Sequence, residues 1–202
     1  METVTQTPTR IGRPRSFDRD AALTQAMLTF WRHGYESTSI SDLTGAMGIT
    51  PPSLYAAFGD KKRLFLECVG LYLAAESPHA MIESAPTARE AARRLLTVSA
   101  EGVTGDTTPT GCLLATSALS VSATAGDVQA ELAAIRHGIE ATLRERFERG
   151  RADGELPADT DVDALAGHMM AMTQGLSTLA RDGASREKLL RVADAAMAGW
   201  PD

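Results

Sequence analysis

One short stretch of the sequence, TPPSLYAAFGDKK, carries the side chains best suited to bind a charged partner. The hydroxyls of Thr50 and Ser53 and the ring of Tyr55 lie at the start of a predicted short helix. The cations Lys61 and Lys62 open the next helix, where the positive end of the helix dipole disfavours a cation. A bound anion would offset that cost, and free amides at a helix start also suit a phosphate. The stretch therefore predicts an anion-binding surface.

Enzymatic and metal chemistry have little support in the sequence. The chain contains no GxSxG, HExxH, GxxxxGK[ST] or GxGxxG motif, and its four histidines are scattered. His168 stands beside Met169, Met170 and Met172, a group that suits either a soft-metal or haem site or an adaptable core. The helical spacing favours the core. We therefore expect no enzyme activity, no cofactor and no bound metal.

The two cysteines, Cys68 and Cys112, lie far apart in the chain and form no CxxC pattern. This usage favours a reducing, cytoplasmic setting and argues against a disulfide scaffold or a structural zinc site. Cys112 is predicted to begin a helix, where a thiolate is stabilised. Two interpretations of Cys112 stay open: a packed thiol, and a sensor of oxidants or electrophiles.

The charge of this 202-residue chain is unevenly distributed around a net value of −6. Residues 10–63 hold eight cations and five acids, whereas residues 64–202 hold twelve cations and twenty acids. A basic amino-terminal quarter on an acidic body indicates a local anionic partner. No apolar run approaches the roughly 18 residues of a membrane span, and the first residues lack the apolar core of a secretory signal. We expect a cytoplasmic protein with no membrane partner.

Capping residues and apolar spacing predict helices throughout and no strand. The first helix follows Asp18 and ends at Gly34, the second runs from Ser39 or Ser41 to Gly48, and the third begins at the prolines after Thr50. Further helices are predicted at about 61–76, 87–104, 111–124, 127–150, 161–181 and 185–199. Residues 1–15 are polar and without periodicity, which predicts a disordered basic arm.

Two helices joined by a glycine turn have the layout of a helix-turn-helix, whose second helix enters the DNA major groove. Leu54 and Phe58 would form the apolar back of that helix. The same region, residues 10–66, resembles the amino-terminal domain of the TetR/AcrR family of bacterial transcriptional regulators. The segments that carry the resemblance are the basic lead-in GRPR, ALTQAMLTFWRHGYESTSISDLTGAMGI and SLYAAFGDKKRLF.

The resemblance implies an all-α fold and a set of DNA contacts. The fold would consist of a three-helix DNA-binding domain over residues 16–62 and a larger helical ligand-binding and dimerisation domain over residues 63–202. Phosphate contacts are implied for Thr38, Ser39 and Lys61. Base contacts are implied for the start of the third helix, namely Thr50, Pro51, Pro52 and Ser53, and a base or phosphate contact for Tyr55.

Ala57 departs from the family pattern, which commonly has His or Tyr there in contact with the DNA backbone. One phosphate contact is thereby lost. Lys62, where the family often has Glu, is a candidate replacement, although a solvated lysine is the alternative. Arg13 and Arg15 are either a disordered tail or an arm in the minor groove. Tyr55 is either a DNA contact or a packed core residue.

The body of the chain suggests a dimer interface and a ligand site. Gly167, Ala171 and Gly175 recur four residues apart, so they would let a second helix approach closely. The last helix would complete this interface through Leu189, Val192 and Ala196, unless these residues pack within the chain. A small-molecule site is expected among Met81, Leu113, Met169, Met172 and Leu176.

These features together predict a homodimeric transcriptional regulator, a repressor, that binds an inverted repeat in double-stranded DNA and is released by a small molecule. Two alternatives stay open. One is a small-molecule binding protein with a degenerate DNA head, which Ala57 would favour. The other is a thiol- or metal-responsive regulator that uses Cys112 or the Met/His cluster.

Overall fold

The computed structural model describes residues 17–75, 77–105, 108–117 and 125–201, and in those ranges it is helical with no strand. The helices are α1 Arg19–His33, α2 Ile40–Met47, α3 Pro51–Phe58, α4 Lys61–Ala75, α5 Pro78–Glu83, α6 Ala88–Gly102, α7 Leu113–Thr116, α8 Gly126–Ala152, α9 Val162–Arg181 and α10 Arg186–Met197. We call α1–α3 the head and α5–α10 the body. The predicted basic arm, with Arg13 and Arg15, lies outside the described residues.

The ends of α1 follow from short-range signals in the sequence. Asp18 caps the helix, since its carboxylate accepts hydrogen bonds from the amides of Asp20 and Ala21 at 3.0 and 3.1 Å. Gly34 ends it with a φ of 81°, and the Gly34 amide donates to the carbonyl of Phe30 at 2.8 Å. A positive φ of this kind favours glycine. The predicted bounds of α1 are confirmed.

Helix α4 joins the head to the body through a continuous apolar core. Its Leu64, Phe65 and Cys68 are fully buried. The ring of Phe65 meets that of Phe30 on α1 edge-on, with centroids 5.0 Å apart. Buried residues from α1 to α10 form one cluster. Because such cores are close-packed, a shift of α1 or α4 against the body would have to repack them.

The body is built around the 27-residue helix α8, which packs against α5, α6 and α9, while α10 covers α6 and α9. The apolar residues Val128, Leu132, Ile139, Leu143 and Phe147 of α8 are buried. The ring of Phe147 also meets that of Trp200 edge-on at 5.5 Å, which ties the end of the chain to α8. In the part of the chain that the structure describes, no helix is long and apolar enough to cross a membrane.

Two body segments differ from their predictions. Helix α5 was not expected from the sequence, because six residues are too few to show a helical period. Its start is nevertheless signalled by Ser77, whose hydroxyl accepts from the Ala80 amide at 3.3 Å, and by Pro78 in the first turn. The helix predicted over 111–124 is described only as Leu113–Thr116, and residues 118–124 lie outside the described ranges.

Candidate nucleic-acid interface and cavity

The turn between α2 and α3 fixes how the third helix is presented. Gly48 adopts a left-handed conformation, with φ 65° and ψ 30°. The amides of Gly48 and Ile49 both donate to the carbonyl of Thr44, so the last turn of α2 keeps its hydrogen bonds. Leu54 and Phe58 are buried at 0% and 3% exposure and hold α3 against the rest of the head.

The opposite side of α3 is exposed to solvent. Pro51, Pro52 and Tyr55 all lie on it, and Tyr55 keeps 48% of its surface exposed. The interpretation of Tyr55 as a packed core residue is therefore wrong. The hydroxyls of Thr50 and Ser53 lie 3.0 Å apart and bond to each other instead of capping the helix. Since proline has no amide hydrogen, the start of α3 offers fewer donors to a phosphate than an ordinary helix start.

Lys61 reaches the loop that precedes α2. Its ammonium donates to the carbonyl of Glu36 at 3.3 Å and lies 4.6 Å from the centre of the Tyr35 ring. Burial lowers the pKa of Lys61. Ser39 caps α2: its hydroxyl accepts from the Asp42 amide at 3.1 Å, while Asp42 accepts from the Ser39 amide at 2.8 Å. The Ser39 hydroxyl also donates to the Asp42 carboxylate at 2.6 Å, and this bond, together with the one from the Ser39 amide, lowers the pKa of Asp42. The negative charge of Asp42 would repel a phosphate at the start of α2. Of these residues, Lys61 is therefore the one suited to bind a phosphate.

Two predicted phosphate contacts need correction. Thr38 is buried at 1% exposure, and its hydroxyl donates to the carbonyl of Gly34 at 2.6 Å. Its side chain therefore closes the loop after α1 and does not face solvent. The ammonium of Lys62 lies 2.7 Å from the carboxylate of Asp127 at the start of α8. Lys62 is thus part of the junction between head and body, where the hydrogen bond that its ammonium donates to Asp127 raises the pKa of the lysine.

A cavity of about 650 Å³ lies at the junction of head and body. Its wall is mainly apolar and aromatic and takes residues from α1, α4, α5, α6, α8 and α9. Representative lining residues are Met27, Trp31, Tyr72, Met81, Leu95 and Ile139. The presence of Met27 and Trp31 means that the head itself forms one side of the cavity.

Of the predicted ligand-site residues, Met81 lines this cavity, and its contact with a ligand stays a prediction. Leu113, Met169 and Leu176 were assigned wrongly, because they are fully buried in the packed core and not in the wall. Met172 also lies outside the wall. On α9 the lining residues are instead Met170, Thr173 and Gln174. Apolarity marked the methionines of α9, but only the packing of α9 against its neighbours determines which of them face the cavity.

The two cysteines have different environments. Cys68 is fully buried, its thiol lies 3.7 Å from the carbonyl of Leu23, and burial raises its pKa far above the usual range. Cys112 lines the cavity and is only partly buried. Its sulfur accepts a hydrogen bond from the Tyr72 hydroxyl at 3.3 Å, and its amide donates to the Ser177 hydroxyl at 2.8 Å. Within the described ranges, no three His, Cys, Asp or Glu side chains are grouped to hold a metal.

The predicted dimer residues fall into two groups. Ala171 and Gly175 are exposed on α9, and Val192 and Ala196 are partly exposed on α10. Leu189 was assigned wrongly, because it is fully buried within the chain. Gly167 faces α8, since a Cβ at this position would lie 3.4 Å from a carboxylate oxygen of Glu140. That glycine therefore serves packing within the chain.

Comparison with known proteins agrees with this arrangement. Residues 22–68 match the family described as bacterial regulatory proteins, tetR family, and residues 86–196 match the tetracyclin repressor-like C-terminal domain. The chain belongs to the TetR family. The resemblance and the all-α fold with a helix-turn-helix domain are thereby confirmed. As a member of a family of transcriptional regulators, this TetR-family protein is not an enzyme.

The similarity to known proteins covers nearly the whole chain. The HTH-type transcriptional repressor ComR of Escherichia coli is 37% identical over 195 residues, which cover 95% of this chain and 92% of ComR. The repressor BdcR of the same organism is 32% identical, covering 97% and 95%. A cysteine variant of the TetR-family regulator CifR, solved in complex with 26-base-pair double-stranded operator DNA, is 44% identical. It superposes with a TM-score of 0.89 over 94% of this chain and 100% of its own.

Proposed function

We propose that this TetR-family protein is a repressor that binds an inverted-repeat operator as a homodimer and is released by a small molecule. The observation that carries the proposal is the cavity at the head–body junction. Because Met27 and Trp31 of α1 line it, a ligand there would touch the DNA-binding head directly. A ligand that fits one position of α1 better than another would shift the head between those positions.

The exposed side of α3 supports operator binding. Tyr55, Pro51 and Pro52 form a rigid surface on a helix held from behind by Leu54 and Phe58. Lys61 adds a cation at the edge of this surface. The repressors ComR and BdcR and the operator-bound CifR are similar to this chain over 95%, 97% and 94% of its length. Ala57 supplies no polar group, so phosphate binding would depend on Lys61 and on the residues of α2 and α3.

Several contacts would carry a movement of the body to the head. The Trp31 indole donates to the carbonyl of Gly111 at 2.8 Å, and the Tyr35 amide donates to the carbonyl of Ser117 at 2.9 Å. Lys62 adds its ion pair with Asp127. Induction then requires the ligand to prefer the arrangement whose head spacing does not match the operator, since equal affinity for both arrangements changes nothing.

The test is to incubate the purified protein with a random double-stranded DNA library at moderate salt and to sequence the retained fraction. Enrichment of an inverted repeat would support a dimeric operator-binding protein. Retention without a motif, lost steeply as salt rises, would indicate binding by charge alone and would contradict the proposal. No retention by the ligand-free protein would favour a degenerate DNA head.

Tyr55→Ala is expected to weaken binding to the enriched operator by about 10- to 100-fold, the range of one lost base or phosphate contact. Thermal unfolding should change little, because Tyr55 is largely exposed. Titration of labelled operator at fixed salt measures the effect. Tyr55→Phe separates the ring from the hydroxyl. Unchanged affinity in Tyr55→Ala would exclude Tyr55 from the interface.

A second candidate is a regulator whose effector reacts with Cys112. The thiol lines the same cavity, and its sulfur accepts a hydrogen bond from the Tyr72 hydroxyl at 3.3 Å. An electrophile would form a bond to the sulfur as the thiol proton leaves. In that case Cys112→Ser should bind the operator normally but lose its response to alkylating compounds. A full response in Cys112→Ser would leave reversible binding as the mechanism.

A further inference from the structure

Among the described residues, one cation in the cavity wall, Arg136, has no acidic partner. Arg136 extends from α8, and its guanidinium donates to the carbonyl of Leu114 at 2.7 Å. Among the described residues, no carboxylate lies within ion-pair distance of Arg136. Two other arginines of the body have acidic partners: Arg146 bonds to Glu155, and Arg151 bonds to Glu148.

The remaining charges of the wall cancel each other. Glu101 and Arg186 both line the cavity, and they form an ion pair of 2.9 Å. In the described part of the wall, Arg136 is therefore the charge without a counter-ion. An arginine side chain carries a permanent positive charge in proteins. The protein thus holds a permanent positive charge beside an apolar space, which disfavours a purely apolar ligand and favours an anionic one.

Other wall groups suit the acid end of such a ligand. Thr173 and Gln174 of α9 are the polar residues of that helix in the wall, and both side chains bond only to the Met170 carbonyl, at 2.8 and 3.4 Å. The second of these hydrogen bonds is long, so the Gln174 amide can turn toward a ligand at little cost. The wall also contains Met27, Trp31 and Leu95, which suit an aliphatic or aromatic body.

We infer that the effector is a small amphipathic carboxylate, whose acid group binds Arg136 and whose apolar part fills the space against α1. A carboxylate matches the planar donors of a guanidinium and can bond to two of them at once. A ligand held in this way links α8 of the body to α1 of the head. The inference rests on the proposed release of operator DNA by a ligand of the cavity and names the chemical class of that ligand.

Matched pairs of compounds test the inference. Decanoate and 2-naphthoate are titrated into the DNA-free protein beside their primary amides, which have the same skeletons without the charge. Binding is measured by calorimetry and by the fluorescence of Trp31, which lines the cavity. We expect at least one acid to bind about tenfold or more tightly than its amide. Equal affinity of acid and amide, or no binding of any acid, would overturn the inference.

Variants of Arg136 test whether this residue causes the preference for the acid over its amide. Arg136→Gln should reduce the preference for the acid to about one, because Gln can still donate to the Leu114 carbonyl but carries no charge. Arg136→Lys should keep part of the preference. Arg144→Gln on the same helix is the matched control, since Arg144 lies away from the cavity beside Asp163 and should leave acid affinity unchanged. A preference that survives in Arg136→Gln would contradict the assignment.

The two levels of the proposal fail separately. If the acids bind but never release the operator, the inference about the cavity stands and the proposed induction fails. If neutral compounds release the operator while no carboxylate binds, the induction stands and Arg136 is not an anchor. Thermal unfolding of each variant confirms that the binding data refer to folded protein.

Discussion

Glu155→Gln is expected to destabilise the folded protein by about 3 kcal/mol, because it leaves a buried guanidinium without its counter-charge. The Arg146 side chain is only 6% exposed, and it bonds to both carboxylate oxygens of Glu155 at 3.1 and 3.2 Å. Glu155 also accepts from the Ala88 amide at 2.6 Å, so it fixes the start of α6. Denaturant unfolding at a fixed protein concentration measures the loss.

An exposed ion pair on α8, the helix that carries Arg146, provides the control. Arg151 and Glu148 form an ion pair of 2.7 Å, but their side chains are 34% and 50% exposed. Glu148→Gln should therefore cost less than about 1 kcal/mol, as exposed pairs generally do. If Glu148→Gln and Glu155→Gln destabilised the protein equally, burial of Arg146 would not be the cause. The double change Arg146→Met with Glu155→Gln should recover part of the loss, since no charge is then left buried.

The ion pair between Glu155 and Arg146 also makes the destabilisation by Glu155→Gln depend on pH. Burial alone would raise the pKa of Glu155, but hydrogen bonds from Ala88 and Arg146 outweigh burial and lower the pKa below its ordinary value of 4.5. A carboxyl with a lowered folded-state pKa stabilises the protein above its unfolded pKa, and this contribution is lost as pH falls through the folded value. The difference in the free energy of unfolding between wild type and Glu155→Gln should therefore become smaller as the pH falls below about 5.

The elements of the head were predictable because their signals are local. Asp18, Ser39, Gly48 and the prolines of α3 each act on the backbone within four residues, so the sequence alone shows where these helices begin and end. Contacts between distant segments were not predictable. In the sequence, Lys62 suits a phosphate as well as its neighbour Lys61 does. Only the fold shows that Lys62 pairs with Asp127 at the start of α8.

The cavity shows the same limit more clearly. Its wall combines α1 with α9, and no pattern within either helix indicates that they share a space. Met27 and Trp31 look like ordinary core residues of the head, because their spacing is that of an apolar stripe. Arg136 could have been noticed only as a cation in α8 without an acid four residues before it. That no described carboxylate lies within ion-pair distance of Arg136 is a property of the folded chain.

Ala171→Glu is expected to convert the proposed dimer to a monomer and to weaken operator binding at least 100-fold. Ala171 and Gly175 are exposed on α9 in the single chain, so a charge there costs the monomer little. In a dimer built on this face, the glutamate would be buried without a partner. A monomer reaches only one half-site, and its affinity should approach that of non-specific binding. Light scattering against the 21.4 kDa chain and operator titration measure both effects.

Ala130→Glu is the matched control, because Ala130 is an exposed alanine on α8. It should leave both the dimer and operator affinity intact, since α9 and α10 are the proposed interface. Gly175→Glu should reproduce the effect of Ala171→Glu. A dimer that survives both changes on α9 would place the interface on another face. Loss of operator binding without loss of the dimer would mean that α9 acts through the cavity, because Met170, Thr173 and Gln174 of the same helix line it.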